Sequence, residues 1–128
     1  MNRYLLIALG AALGANARYL VGVWAGNQLG ADFPYGTFIV NIVGSFVLGF
    51  LLTLGTERLQ LSPDTRLLLA VGFLGSFTTF SSYAVESMNL WRDAGLWRGL
   101  LNIVGNNLVG LLCAVLGAML ARWLQGGG

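Results

Sequence analysis

Apolar residues run through this chain in four long stretches separated by short clusters of charge and turn formers, a pattern that predicts helices over residues 3–27, 35–56, 65–91 and 97–124. Each stretch reaches the roughly 20 residues that an α-helix needs to cross hydrocarbon. Gly30-Ala31-Asp32-Phe33-Pro34-Tyr35-Gly36 reads as a turn entering the second helix, and Ser62-Pro63-Asp64 as an N-cap with proline at the first helical position. Arg92-Asp93-Ala94-Gly95 closes the third. The expected fold class is an all-α membrane protein, one four-helix transmembrane domain over residues 1–128. Beyond Arg3 the first stretch shows no separate small-residue cleavage region, so it reads as a retained span. The tail Gln125-Gly126-Gly127-Gly128 cannot hold a helix and is assigned no role.

The third stretch is not featureless. Gly75-Ser76-Phe77-Thr78-Thr79-Phe80-Ser81-Ser82-Tyr83 interrupts it with hydroxyls and aromatic rings. Polar backbone at membrane depth is tolerated only where it faces protein, a cavity or an ion. Elsewhere in the spans, Asn41 lies one turn after Thr37, and Asn102, Asn106 and Asn107 fall in the fourth stretch. Any single buried Asn reads as an interhelical hydrogen bond worth ~0.6 kcal/mol. Taken together, Asn41, Thr79, Ser81, Ser82, Asn106 and Asn107 supply neutral donors at several depths, more than packing alone requires. Phe80 and Tyr83 stand three apart on one helical face, a spacing that suits core packing or ring edges turned toward an anion.

Composition narrows the chemistry. Hydrophobic residues make up 56% of the 128 positions and charged residues 9%, against about 25% charged in an ordinary soluble domain. There is no His, a single Cys and no carboxylate cluster at ligand spacing, which excludes zinc and most transition metals. Only carbonyl-bound alkali ions remain. No nucleophile and base pair is visible, so an enzyme is disfavoured. Cys113 lies within the fourth stretch and reads as a small core residue. Glycines at Gly10 with Gly14, Gly22 with Gly26, Gly72 with Gly75, and Gly110 with Gly117 predict close helix contacts. Four short helices bury little polar surface among themselves, so a polar lane calls for two copies of the chain, most simply a two-fold dimer. With four spans, Arg3, Arg58, Arg66 and Arg122 fall on one side of the membrane, and Arg92 and Arg98 on the other, joined by Arg18. So small an excess does not dictate one orientation, and insertion both ways is compatible with it.

The run from Gly72 to Glu86, Gly72-Phe73-Leu74-Gly75-Ser76-Phe77-Thr78-Thr79-Phe80-Ser81-Ser82-Tyr83-Ala84-Val85-Glu86, closely resembles the third-helix signature of the Fluc fluoride channels, also called CrcB proteins. Gly10-Ala11-Ala12-Leu13-Gly14-Ala15-Asn16-Ala17-Arg18-Tyr19 is similar to that family's first-helix motif, and the run from Pro34 to Gly44 to its second. The resemblance implies a passive, fluoride-selective channel that exports fluoride across a bacterial inner or plasma membrane. It implies an antiparallel dual-topology homodimer with two pores, a third helix broken near its middle and a central structural Na⁺. By the same resemblance, backbone carbonyls of Gly75 and Thr78 hold the Na⁺, Asn41 is the pore-lining amide, and Phe80 with Tyr83 form the aromatic box. Thr79, Ser81 and Asn106 add polar contacts, and Arg18 and Glu86 match recurrent charged positions. Tyr83 departs from the family's usual Phe by keeping the ring edge and adding a hydroxyl, and Gly110 stands where some members carry serine. A small proton-coupled multidrug transporter is the rival reading. It needs a carboxylate deep in the first helix, and none occurs between Met1 and Ala31. A purely structural membrane subunit, with the polar lane as packing glue, is the other.

Overall fold

The computed structural model describes residues 2–57 and 61–126; Met1, Arg58 and the last two glycines of the tail lie outside the described residues. All regular structure among the described residues is helical. Helix α1 spans Arg3–Leu29, α2 spans Tyr35–Glu57, α3 covers 63–77, α4 spans Phe80–Ala94 and α5 spans Leu96–Leu124. Helices α3 and α4 together make one membrane-length element, Pro63–Ala94, so four elements are long and apolar enough to cross a bilayer.

Local chemistry explains the ends. Asn2 caps α1 by accepting from Tyr4 N–H at 2.9 Å. Ser62 Oγ accepts from Thr65 N–H at 3.2 Å, with Pro63 in the first helical position, where its missing N–H has no helical partner to lose. At the other end of the third element the helix runs to Ala94, three residues past the predicted 91. Arg92 and Asp93 pair with each other at the surface at 2.8 Å and do not interrupt it. The stop is Gly95, whose φ of 99° is a conformation that side-chain-bearing residues rarely adopt.

Packing runs α1 along α3, α2 along α5, and α4 along α5. Glycines make the closest of these contacts. A methyl group on Gly72 would lie 3.0 Å from Gly10 Cα, and one on Gly14 would be driven into the Phe73 carbonyl. Gly117 meets the Phe46 carbonyl on α2 in the same way. Three of the glycines expected in close contacts have room for a side chain within this chain. A methyl on Gly22 or on Gly26 would meet nothing within 4 Å, and one on Gly75 only the Ala70 carbonyl of its own helix at 3.7 Å.

A small apolar core of Val40, Leu74 and Phe77 sits beside the α3–α4 junction, with Ala17, Val21, Val47, Leu48, Leu51 and Phe73 around it. The outer surface is apolar instead of charged, and side chains such as Leu13, Leu108 and Leu111 lie exposed. Continuous apolar surface on this scale suits lipid contact.

Candidate ion pathway

The α3–α4 junction is a break in the third span. Most of α3, Arg66–Leu74, is wound in wide turns, and Gly75 N–H reaches back to Ala70 C=O five residues earlier. One ordinary turn, Gly75–Phe77, follows. Thr78 (φ −83°, ψ 157°) and Thr79 (φ −150°, ψ 123°) are then extended. In an unbroken helix Thr79 N–H would donate to Gly75 C=O and Ser82 N–H to Thr78 C=O. Neither does so. Thr79 N–H donates to Asn41 Oδ1 at 2.9 Å, and Ser82 N–H to Thr79 Oγ1 at 3.2 Å, an N-cap for α4. The carbonyls of Gly75 and Thr78 are thereby released from the helical ladder. Thr78 Oγ1 donates to Leu74 C=O at 3.0 Å, closing the end of α3.

Asn41 on α2 holds the break. Its Nδ2 donates to Thr79 C=O at 3.1 Å and to Asn106 Oδ1 on α5 at 3.0 Å. Around this contact lies a cavity of about 260 Å³ lined in part by Asn41, Thr78, Thr79, Phe80, Tyr83 and Asn106. Phe80 and Tyr83 meet edge to face, ring centres 5.3 Å apart and planes at 61°. Phe80 is 78% exposed, whereas Tyr83 is only 9% exposed. Asn107 Nδ2 donates to the Tyr83 phenol oxygen at 2.9 Å and also to Ile103 C=O at 2.8 Å. With its oxygen accepting from Asn107, the phenol keeps its own hydrogen to donate.

Polar side chains recur one helical turn along the same faces. Thr37 lies four residues before Asn41 on α2, and Glu86 lies three after Tyr83 on α4, so the two pairs stack. Thr37 Oγ1 donates to Glu86 Oε1 at 3.0 Å. Both line a wider cleft of about 510 Å³, which also takes in Asp32, Asn89 and Asp93. Glu86 Oε2 and Arg18 Nε are buried without a hydrogen-bond partner.

Of the residues singled out from sequence, the structure gathers Asn41, Thr78, Thr79, Phe80, Tyr83 and Asn106 around one cavity, with Glu86 in the adjoining cleft. Ser81 is exposed and lines neither; Gly75 is exposed beside the break, and Arg18 lines neither cavity. Ser45 and Gly44 also line the first cavity, and sequence reasoning did not select them. Their signal was spacing: Ser45 follows Asn41 by four residues on one face of α2. Ser87 was likewise not selected, and Asn102 was read only as a helix-tying amide, although they stand four residues from Tyr83 and Asn106.

Four lipid-length helical elements, one broken at a cavity lined by neutral hydrogen-bonding side chains, define a multi-pass membrane protein with an internal polar path. The family model "CrcB-like protein, Camphor Resistance (CrcB)" matches residues 5–118, and the chain belongs to that family. A relative from Chloroflexus aurantiacus is 46% identical over 126 residues, covering 98% of this chain and 100% of its own. One from Solibacter usitatus is 49% identical over 120 residues, 94% of this chain and 98% of the relative. A third, from Roseiflexus sp., is 50% identical over 123 residues, 92% and 95% of the two chains. All three are named "Fluoride-specific ion channel FluC", a transport activity and not an enzymatic one.

Proposed function

We propose that this protein is a passive, fluoride-selective channel that lets fluoride leave the cell. The observation that carries the reading is the lining of the cavity at the break: hydroxyls, amides and ring edges, with no charged side chain among the lining residues. A small anion entering hydrocarbon must exchange its water for donors, and a fixed Lys or Arg would hold it too long to conduct. Weak, repeated neutral contacts favour passage. The Tyr83 hydroxyl and the electropositive edge of Phe80 are among the groups free to face the ion, with the hydroxyls of Ser45 and Thr79. Asn41 and Asn106 shape the lane, their amide hydrogens being engaged within the protein. The relatives' name supports fluoride as the ion.

The conducting unit in this reading is an antiparallel homodimer with two lanes and a structural Na⁺ between the breaks. Phe80 projects from its own subunit and Gly75 is exposed, touching only its own helix, as positions meant for a second copy would. The released carbonyls of Gly75 and Thr78 are hard, neutral oxygen donors suited to an alkali cation. One chain offers too few of them, and two chains related by a two-fold axis double the set. When bound, the cation would tie the two breaks together electrostatically.

The test is anion efflux from proteoliposomes carrying the purified protein, followed with fluoride- and chloride-selective electrodes. The reading requires rapid fluoride release with chloride retained. Equal release of both anions, or of neither, rejects it.

A further inference from the structure

Among the described residues, the buried polar side chains are Ser87, Asn102 and Asn106, and all three belong to one chain of hydrogen bonds that ends at Asn41. It begins at a backbone carbonyl. Ser87 Oγ donates to Tyr83 C=O at 2.8 Å and accepts from Asn102 Nδ2 at 2.8 Å. Asn102 Oδ1 accepts from Asn106 Nδ2 at 3.0 Å, and Asn106 Nδ2 also donates to Asn102 C=O at 2.9 Å. Asn106 therefore has only its Oδ1 left to face Asn41, and accepts from it at 3.0 Å. Asn41 closes the chain on both backbone groups of Thr79.

The polarity of this chain is fixed at both ends. Tyr83 C=O can only accept, so Ser87 must donate to it and present lone pairs to Asn102. That forces the Asn102 amine toward Ser87 and its oxygen toward Asn106. The same order passes to Asn106 and then to Asn41, whose oxygen is left facing Thr79 N–H. Thr79 N–H can only donate, so the far end demands the same order independently. A flipped Asn41 amide would set its oxygen against Thr79 C=O and Asn106 Oδ1 and its amine against an N–H donor. We propose that Ser87 and Asn102 are positioning residues that act through Asn106 to hold the Asn41 amide in one orientation and so latch the break in the third span. The latch works because Asn41 Oδ1 takes the Thr79 hydrogen that Gly75 C=O would claim in a continuous helix. Asn102 is fully buried, so it reaches the pathway only through its neighbours.

The proposal rests on the fluoride-channel reading for its transport measurement alone. Hydrogen exchange at the Thr79 amide, read by NMR on the purified full-length protein, tests the latch whether or not the ion is fluoride. Asn102→Leu keeps the branched outline at a somewhat larger volume and removes both side-chain bonds, while Ser87→Ala is a smaller change should the leucine variant fold poorly. Each is expected to speed Thr79 exchange about tenfold, the factor that corresponds to ~1.4 kcal/mol, with protection of α1 and α2 amides unchanged. Fluoride efflux should fall about tenfold with Asn102→Leu, and adding that change to Asn41→Ala should lower efflux no further than Asn41→Ala alone. Unchanged Thr79 exchange in both variants, or exchange raised throughout the bundle, overturns the latch. So does a double variant whose efflux loss is the product of the two single losses. Selective Thr79 exposure in a protein that moves no fluoride would uphold the latch and reject the channel reading.

Discussion

Asn41 Oδ1 accepts from Thr79 N–H at 2.9 Å while Asn41 Nδ2 donates to Thr79 C=O at 3.1 Å, so one side-chain amide replaces a missing piece of helical backbone. The gap it fills is the one that turns an ordinary apolar span into an interrupted one. Without Asn41 the Thr79 N–H would lose its acceptor, and an unpartnered donor away from water costs roughly 1–3 kcal/mol, so the break depends on an amide at position 41.

Asn41→Asp tests this dependence with almost no change in shape. The carboxylate can accept from Thr79 N–H but cannot donate, and it sets negative charge against Thr79 C=O and Asn106 Oδ1. Fluoride efflux should fall by at least about a hundredfold, the effect of ~2.7 kcal/mol, with the protein eluting as the wild type does on size exclusion. Wild-type efflux would show that Asn41 only ties helices together.

The aromatic pair separates ring from hydroxyl. Phe80→Ile removes the electropositive edge at nearly constant apolarity and should reduce efflux severely. Tyr83→Phe keeps the edge and deletes one neutral donor, worth ~1 kcal/mol, so efflux should drop by no more than about fivefold. Abolition by Tyr83→Phe would make the phenol the essential group, and normal conduction by Phe80→Ile would remove the ring edge from the account.

Glycine contacts predict a sharp contrast in stability. Gly72→Ala drives a methyl group into the backbone of Gly10 and Ile7 on α1, and overpacking of this kind costs about 1–3 kcal/mol. Gly26→Ala meets nothing within this chain and should be close to neutral in the monomer fold. Thermal unfolding in detergent checks both, with a lowered midpoint expected for the first alone.

Much of this arrangement is legible in the sequence because the bilayer imposes a coarse rule that apolar runs obey. The four spans, the Ser62-Pro63 cap and the polar interruption over Gly75–Tyr83 follow from local pattern, whereas the extended pair Thr78-Thr79 within it is seen only in the structure. The third span outran its predicted end because Arg92 and Asp93 satisfy each other at the surface, so charge alone did not end the helix there. Ser81 looked equivalent to Thr79, yet the helical rotation that begins at Phe80 turns it outward. The Ser87–Asn102–Asn106 chain was not legible as a unit, since its link to Thr79 joins residues 38 and 65 positions from Asn41. Nothing local specifies which helices will meet.

A structural cation predicts a salt effect without transport. If Na⁺ binds the carbonyls of Gly75 and Thr78 in a folded dimer, the unfolding midpoint should rise with sodium chloride and stay flat with an equal concentration of N-methylglucamine chloride. Identical midpoints in the two salts would reject the cation.

The central claim, that an uncharged lane at the break selects fluoride, is tested most directly by the reversal potential in a planar bilayer with fluoride on one side and chloride on the other at equal concentration. The account predicts a current carried by fluoride alone, with a reversal potential displaced far toward the fluoride equilibrium value. A reversal near zero would mean that the lane passes both anions, and would contradict it.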